Sequence, residues 1–185
     1  MQLSTGGSGF NLNLQATDSI IFEAGAAEKM RLTSTGLKTK TTISVGDATP
    51  STSGAGITFP ATQSASTDAN TLDDYEEGSF TPTASVSLTS ATGKYTKIGR
   101  AVHFEIEVGF AVTASTAGAA LTGLPFTASA DNYSCAVWTN RGSAIFAYVA
   151  SSTASVNLFY VTTGGIYDYV DFSNKSVKIA GTYFI

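Results

Sequence analysis

From Phe10 the chain alternates Phe10, Leu12 and Leu14 with Asn11, Asn13 and Gln15, which is the two-residue period of a strand with one apolar face. A second short strand is expected at Ile20 to Phe22. A turn at Ala24-Gly25 then leads to Met30 and Leu32, a break falls at Ser34 to Gly36, and a Thr-rich alternation runs from Leu37 to Val45. Residues 1–45 therefore read as a β-rich segment with too few apolar positions to offset the entropy of ordering it alone. Phe10, Leu12, Leu14, Met30 and Leu32 are expected to pack against other copies of the chain or a neighbour.

Residues 46–74 are rich in Ser, Thr, Gly, Ala and Pro, with Ile57 and Phe59 as apolar anchors, and read as a connector with a few fixed points. From about Tyr75 the texture becomes strands separated by turn residues at intervals of about ten, the pattern of an antiparallel sandwich or jelly roll over 75–185. The clearest strand alternates Val102, Phe104, Ile106, Val108, Phe110 and Val112 with His103, Glu105 and Glu107. Later strands are expected at 134–139, 144–150, 156–162, 166–172 and 177–184, with turns at Asn140-Arg141-Gly142, Ser151-Ser152-Thr153, Gly164-Gly165 and Asn174-Lys175. No long segment has the 3.6-residue period, so the only helical feature expected is a turn near Leu72 to Glu77.

Composition narrows the function classes. Charged residues are 13% of the chain, and the net charge is −4 without a compensating Lys/Arg cluster, so neither nucleic acid nor an acidic lipid surface is an expected partner. Cys135 is the sole cysteine, which rules out an intrachain disulfide and fits a small buried apolar residue. The first fifteen residues lack the basic start and apolar run of a signal peptide, and no stretch approaches a membrane span. Work outside the cell would then follow release by lysis in an assembled particle, the protein being made in a bacterial host cytoplasm.

Two stretches carry a resemblance. Glu28-Lys29-Met30-Arg31-Leu32-Thr33-Ser34-Thr35-Gly36 resembles the short repeat of phage tail-fibre shafts. Ile57-Thr58-Phe59-Pro60-Ala61-Thr62-Gln63, followed by Asn70-Thr71-Leu72-Asp73-Asp74-Tyr75-Glu76-Glu77-Gly78-Ser79-Phe80-Thr81-Pro82, is similar to the lead-in to the terminal knob of such fibres. The likeness continues through Gly93-Lys94-Tyr95-Thr96-Lys97-Ile98-Gly99-Arg100, Leu121-Thr122-Gly123-Leu124-Pro125-Phe126 and Gly181-Thr182-Tyr183-Phe184. It implies a bacteriophage virion protein: a homotrimer with a β shaft and a C-terminal knob. The knob would bind a host surface polysaccharide or outer-membrane protein, and the N-terminal segment would bind other virion proteins. The chain begins almost at the shaft repeat, with no sizeable adaptor before it, as expected either of a naturally short fibre, decoration or collar component docking by its first few dozen residues or of a distal fragment. The alternative function is a virion structural protein, a head decoration, cement or collar component, that binds other virion subunits. The resemblance implies neither an enzyme nor a cofactor.

The candidate chemistry is sparse. Asp73, Asp74, Glu76 and Glu77 crowd four carboxylates around Tyr75, and like charges so close need solvent or cations. Lys94, Lys97 or Arg100, of the same chain or a neighbour, would supply them, which makes Asp74, Glu76 and Arg100 candidate trimer or connector contacts. The spacing does not match a calcium-binding loop. His103, Glu105 and Glu107 share a strand face, yet no second His exists to complete a ligand set, so they read as its wet side. Trp138, Tyr148, Tyr160, Tyr167 and Tyr169 lie near turns, and flat rings with polar tips make them the candidate receptor contacts. No nucleophile elbow, phosphate loop or dinucleotide fingerprint occurs.

Overall fold

A computed structural model describes residues 19–185 except 41, 52, 63–65, 69, 143 and 161–164. The chain is all-β, and it divides into two compact units, Met1–Ser64 and Ala65–Ile185. The strand expected around Phe10, Leu12 and Leu14 lies outside the described residues, as does the side chain of Tyr160.

In the first unit, β1 (Ser19–Ala24), β2 (Ala27–Thr33) and β3 (Gly36–Thr39) form an antiparallel meander. The β1–β2 turn is Gly25-Ala26, one residue beyond the expected Ala24-Gly25, and both residues have positive φ, as a two-residue hairpin turn with the strands' own twist requires. Thr33 fastens the β2–β3 turn by accepting from Thr35 N at 3.3 Å and donating to Gly36 O at 3.1 Å. β4 (Thr42–Ser44) pairs in parallel with β5 (Gly56–Thr58), so Ile57 is a strand residue within the stretch that reads as connector. Glu28 and Arg31 form an ion pair at 2.5 Å within the shaft-like repeat, and the Arg31 hydrogen bond draws the Glu28 carboxyl below its usual range. No described side chain of this unit is buried, and Ile21, Phe22, Leu32, Leu37, Ile43 and Ile57 are exposed.

The second unit is one eight-stranded antiparallel sheet. β6 (Tyr75–Phe80), β7 (Leu88–Ile98) and β8 (Ala101–Phe110) run as a meander; β13 (Ser176–Phe184) lies beside β8; then follow β10 (Tyr133–Thr139), β11 (Ile145–Val149), β12 (Ser155–Tyr160) and β9 (Ala120–Thr122). The sheet turns its corner within β10, whose first residues pair with β11 (Cys135 with Ala147) and whose last pair with β13 (Trp138 with Lys178). Just past β6, Thr83 pairs with Thr122 of β9 through backbone bonds of 2.9 and 2.8 Å, so the two ends of the curled sheet meet. The expected all-β architecture holds, with the strand pairing continuous around the core.

That core takes one residue in two from each long strand: Val102, Phe104, Ile106, Val108 and Phe110 from β8, Val177, Ile179 and Tyr183 from β13, and Val156 and Leu158 from β12. Gly78 and Gly93 make room for aromatic rings on the inner face of β6 and β7. Gly78 lies opposite Tyr95 and Gly93 opposite Phe80, and a Cβ on either would come within 2.5 Å of the facing ring. Gly78→Ala is therefore expected to destabilise this unit by about 1–3 kcal/mol, as overpacking does, read by chemical denaturation.

Two expectations are corrected. No helical turn forms at Leu72 to Glu77, because Tyr75 to Phe80 are held by the β6–β7 ladder. The strand expected at 166–172 is replaced by isolated bridges at Ile166 and Asp168 and a 3-10 turn, Tyr169–Phe172. The Asp171 carboxylate accepts from Asp168 N at 3.2 Å, and Asp171 N donates to Asp168 O at 3.1 Å. Local side-chain bonding of this kind competes with a ladder, and here it wins.

Candidate functional site

The four motif stretches of the second unit converge. Lys97 and Asp74 are only 3% and 6% exposed and form an ion pair in direct contact, and Asp74 O accepts from Gly99 N at 3.0 Å. The Lys97 ammonium also lies 5.5 Å from the centre of the Phe126 ring, which meets Tyr95 edge-on at 5.5 Å. Glu76 accepts from the Tyr95 hydroxyl. Tyr183 donates to Phe126 O at 3.0 Å, accepts from Phe126 N at 3.3 Å, and packs edge-on against Phe104 at 5.8 Å. The motifs thus build the scaffold, joining β6, β7 and β13 to the segment after β9.

The acidic run is divided by the strand's alternation. Asp73 accepts from Ser66 N at 2.7 Å, Asp74 meets Lys97, Glu76 meets Tyr95 and Glu77 meets Tyr75. The cation for Asp74 is thus Lys97 of the same chain, one of the partners expected for it. Arg100 is exposed and stacks over Phe184 at 5.6 Å.

Burial pushes the Tyr183 hydroxyl up to about 12, and the bond to Glu76, followed by burial, pushes Tyr95 up to about 12. A phenol held above its unfolded value contributes stability that is complete below about pH 10 and lost as pH rises through about 12. Alkaline unfolding, followed by near-ultraviolet circular dichroism, is expected in that window. Tyr183→Phe should flatten the loss by about 3 kcal/mol, the equivalent of the difference between pKa values of 10 and about 12. The Cys135 thiol is raised to about 11 by burial, as suits a packing residue.

The aromatics named from the sequence separate into two groups. Tyr167 and Tyr169 are 3% and 2% exposed, which corrects their reading as receptor contacts. Tyr169 donates to Ala120 O at 2.6 Å and packs near Phe110, while Tyr167 lies edge-on to Phe172 beneath the Arg141 guanidinium at 4.3 Å. Tyr148 is half-buried on the outer face, packed against Phe159 and accepting from Asn157 Nδ2 at 3.1 Å. Trp138 is 56% exposed, on the outer face of β10.

Trp138 flanks a groove across the outer face of β7, β8, β13 and β10, with a volume of about 540 Å³. Register builds it: Trp138 neighbours Lys178, Lys178 neighbours Glu107, and Glu107 neighbours Thr92, while the next row along the strands is Ala136, Ala180, Glu105 and Lys94. Lys178 and Glu107 form an exposed ion pair at 3.1 Å. An adjoining hollow of about 670 Å³ shares Lys94, Glu105 and Ala180 and continues past His103, Thr182 and Glu77. His103 Nδ1 shares a hydrogen bond of 2.7 Å with Thr182 Oγ1. Along β13, Phe184 marks the end where the chain enters at Tyr75, and Lys178 lies six residues away, about 20 Å at strand rise. Trp138 therefore sits toward the end remote from chain entry.

Trp138 was legible as a candidate from its residue type. Lys178, Ala136 and Ala180 carried no signal of their own, and Lys94 was named only as a cation for the acidic run, since only register assembles them here. Among the described residues no cluster of His, Cys, Asp and Glu could hold a metal ion, and no helix is long and apolar enough to cross a membrane. Comparison with known protein families, curated proteins and solved structures gave no match.

Proposed function

We propose that this chain is a bacteriophage fibre component, self-associating through its N-terminal β segment as a trimer and binding a host surface ligand with its C-terminal unit. The observation that carries the reading is the exposed Trp138 beside a groove of mixed polar and apolar lining, remote from the end at which the chain enters the unit. An exposed indole next to a groove is an anchor for recognition, and a fibre presents its ligand face away from its attachment. Support for self-association is the first unit's row of exposed apolar side chains, with no buried one among the described residues. Three linked sites turn weak individual contacts into firm attachment.

The test is gold-labelled antibody against this protein on intact particles that carry it, viewed by negative-stain electron microscopy. Label on projecting fibres is expected. Label over the head shell or neck would overturn receptor binding in favour of a decoration, cement or collar role. Sedimentation of the intact chain at micromolar concentration is expected to give three times the chain mass, and a monomer would remove the trimer from this reading.

A further inference from the structure

We infer that the Trp138 groove takes a neutral hexose oligosaccharide, an assignment that rests on the fibre reading and names its ligand class. Trp138 lines the groove, and the flat apolar surface of an indole packs against the C–H face of a pyranose ring. Its floor rows contain Ala136 and Ala180, whose methyl groups let a ring come close to the sheet. Lys94 and Glu105 stand directly opposite each other on β7 and β8, and both are exposed. An ammonium and a carboxylate side by side on the wet face offer a donor and acceptors to neighbouring hydroxyls, which act as both.

Charge selects within the carbohydrates. Glu77, Glu105 and Glu107 line the two joined hollows against Lys94 and Lys178, so carboxylates outnumber ammonium groups and an anionic polymer is repelled. The hollows share Lys94, Glu105 and Ala180, which gives a trough longer than one sugar ring. A peptide adding as a strand is disfavoured, because the trough lies on the face of paired strands where backbone groups are already bonded.

Trp138 is the only tryptophan of the chain, so its emission reports on this groove alone. The experiment titrates the intact protein with maltoheptaose, cellohexaose and mannohexaose, and with hyaluronate and polygalacturonate as anionic controls. A saturable emission change with at least one neutral oligosaccharide and none with the polyanions is expected. Glu105→Gln and Lys94→Ala should each weaken that binding at least tenfold with unchanged thermal unfolding. The inference is overturned by a response to polyanions alone, by silence across the panel, or by binding that both variants leave intact. Attachment of the fluorescently labelled chain to bacterial cells separates the two levels: attachment despite a silent panel sinks the sugar class and spares the fibre reading, and the absence of both sinks the two together.

Discussion

Asp74→Ala is expected to cost the second unit about 3–5 kcal/mol, because it leaves the Lys97 ammonium buried without its direct partner. In thermal unfolding this is a fall on the order of 10–20 °C. The cost is that of an uncompensated charge, so changing both partners gives the decisive comparison. Asp74→Leu with Lys97→Met removes the charges together and should recover most of the loss, since apolar replacement of a buried pair is often neutral. Glu76→Ala, at an exposed position, should cost less than about 1 kcal/mol. A loss below about 1 kcal/mol for Asp74→Ala, or a double variant no better than the single one, would show that Asp74 is not what compensates the Lys97 charge.

Trp138→Ala is expected to have the opposite profile, with stability nearly untouched and binding strongly weakened. More than half of the side chain is already in water, so truncation removes little buried area, and surface changes of that kind stay within about 0.5 kcal/mol. Truncating an anchoring tryptophan costs a binding site about 2 kcal/mol or more, roughly a thirtyfold loss. In a trimer the losses compound through avidity, so attachment of the intact chain to cells should fall by more than about a hundredfold. Flow cytometry of labelled protein reads this directly. Attachment unchanged in Trp138→Ala would move the binding face elsewhere, the half-buried pair Tyr148 and Phe159 on the outer face of β11 and β12 being the next place to look.

The two results bear on different features of the same strands. Asp74, Tyr95, Lys97, Phe126 and Tyr183 belong to the motifs that carry the resemblance, and each is occupied in holding the curled sheet together. Trp138, Ala136 and Lys178 fall outside those motifs and line the open face. Lys94 and Glu77 belong to the motifs and also line the open face, so the two sets of residues overlap there.

Alternation along β8 was readable from the chain alone, and it told that Val102, Phe104, Ile106, Val108 and Phe110 enter the core and His103, Glu105 and Glu107 stay wet, because a strand's side chains change face at every step; Val112, expected on the same apolar face, lies past the end of the strand and is 83% exposed. The three-residue β9 was not expected, whereas the strands β10 to β13, the turn at Asn140-Arg141-Gly142 and the scarcity of helix were legible for the same reason of local period and turn chemistry. The segment at 166–172 was not, since its apolar and polar residues also alternate, and only Asp168 and Asp171 bonding to each other made it a 3-10 turn that buries Tyr167 and Tyr169. Which of the expected cations meets Asp74, and the neighbours of Trp138, were likewise undecided, for both are set by register between strands that lie from about 20 to about 70 residues apart in the chain. Local pattern determined the elements and their wet and dry faces; tertiary pairing alone decided which wet residues stand together, and so where a ligand can be held.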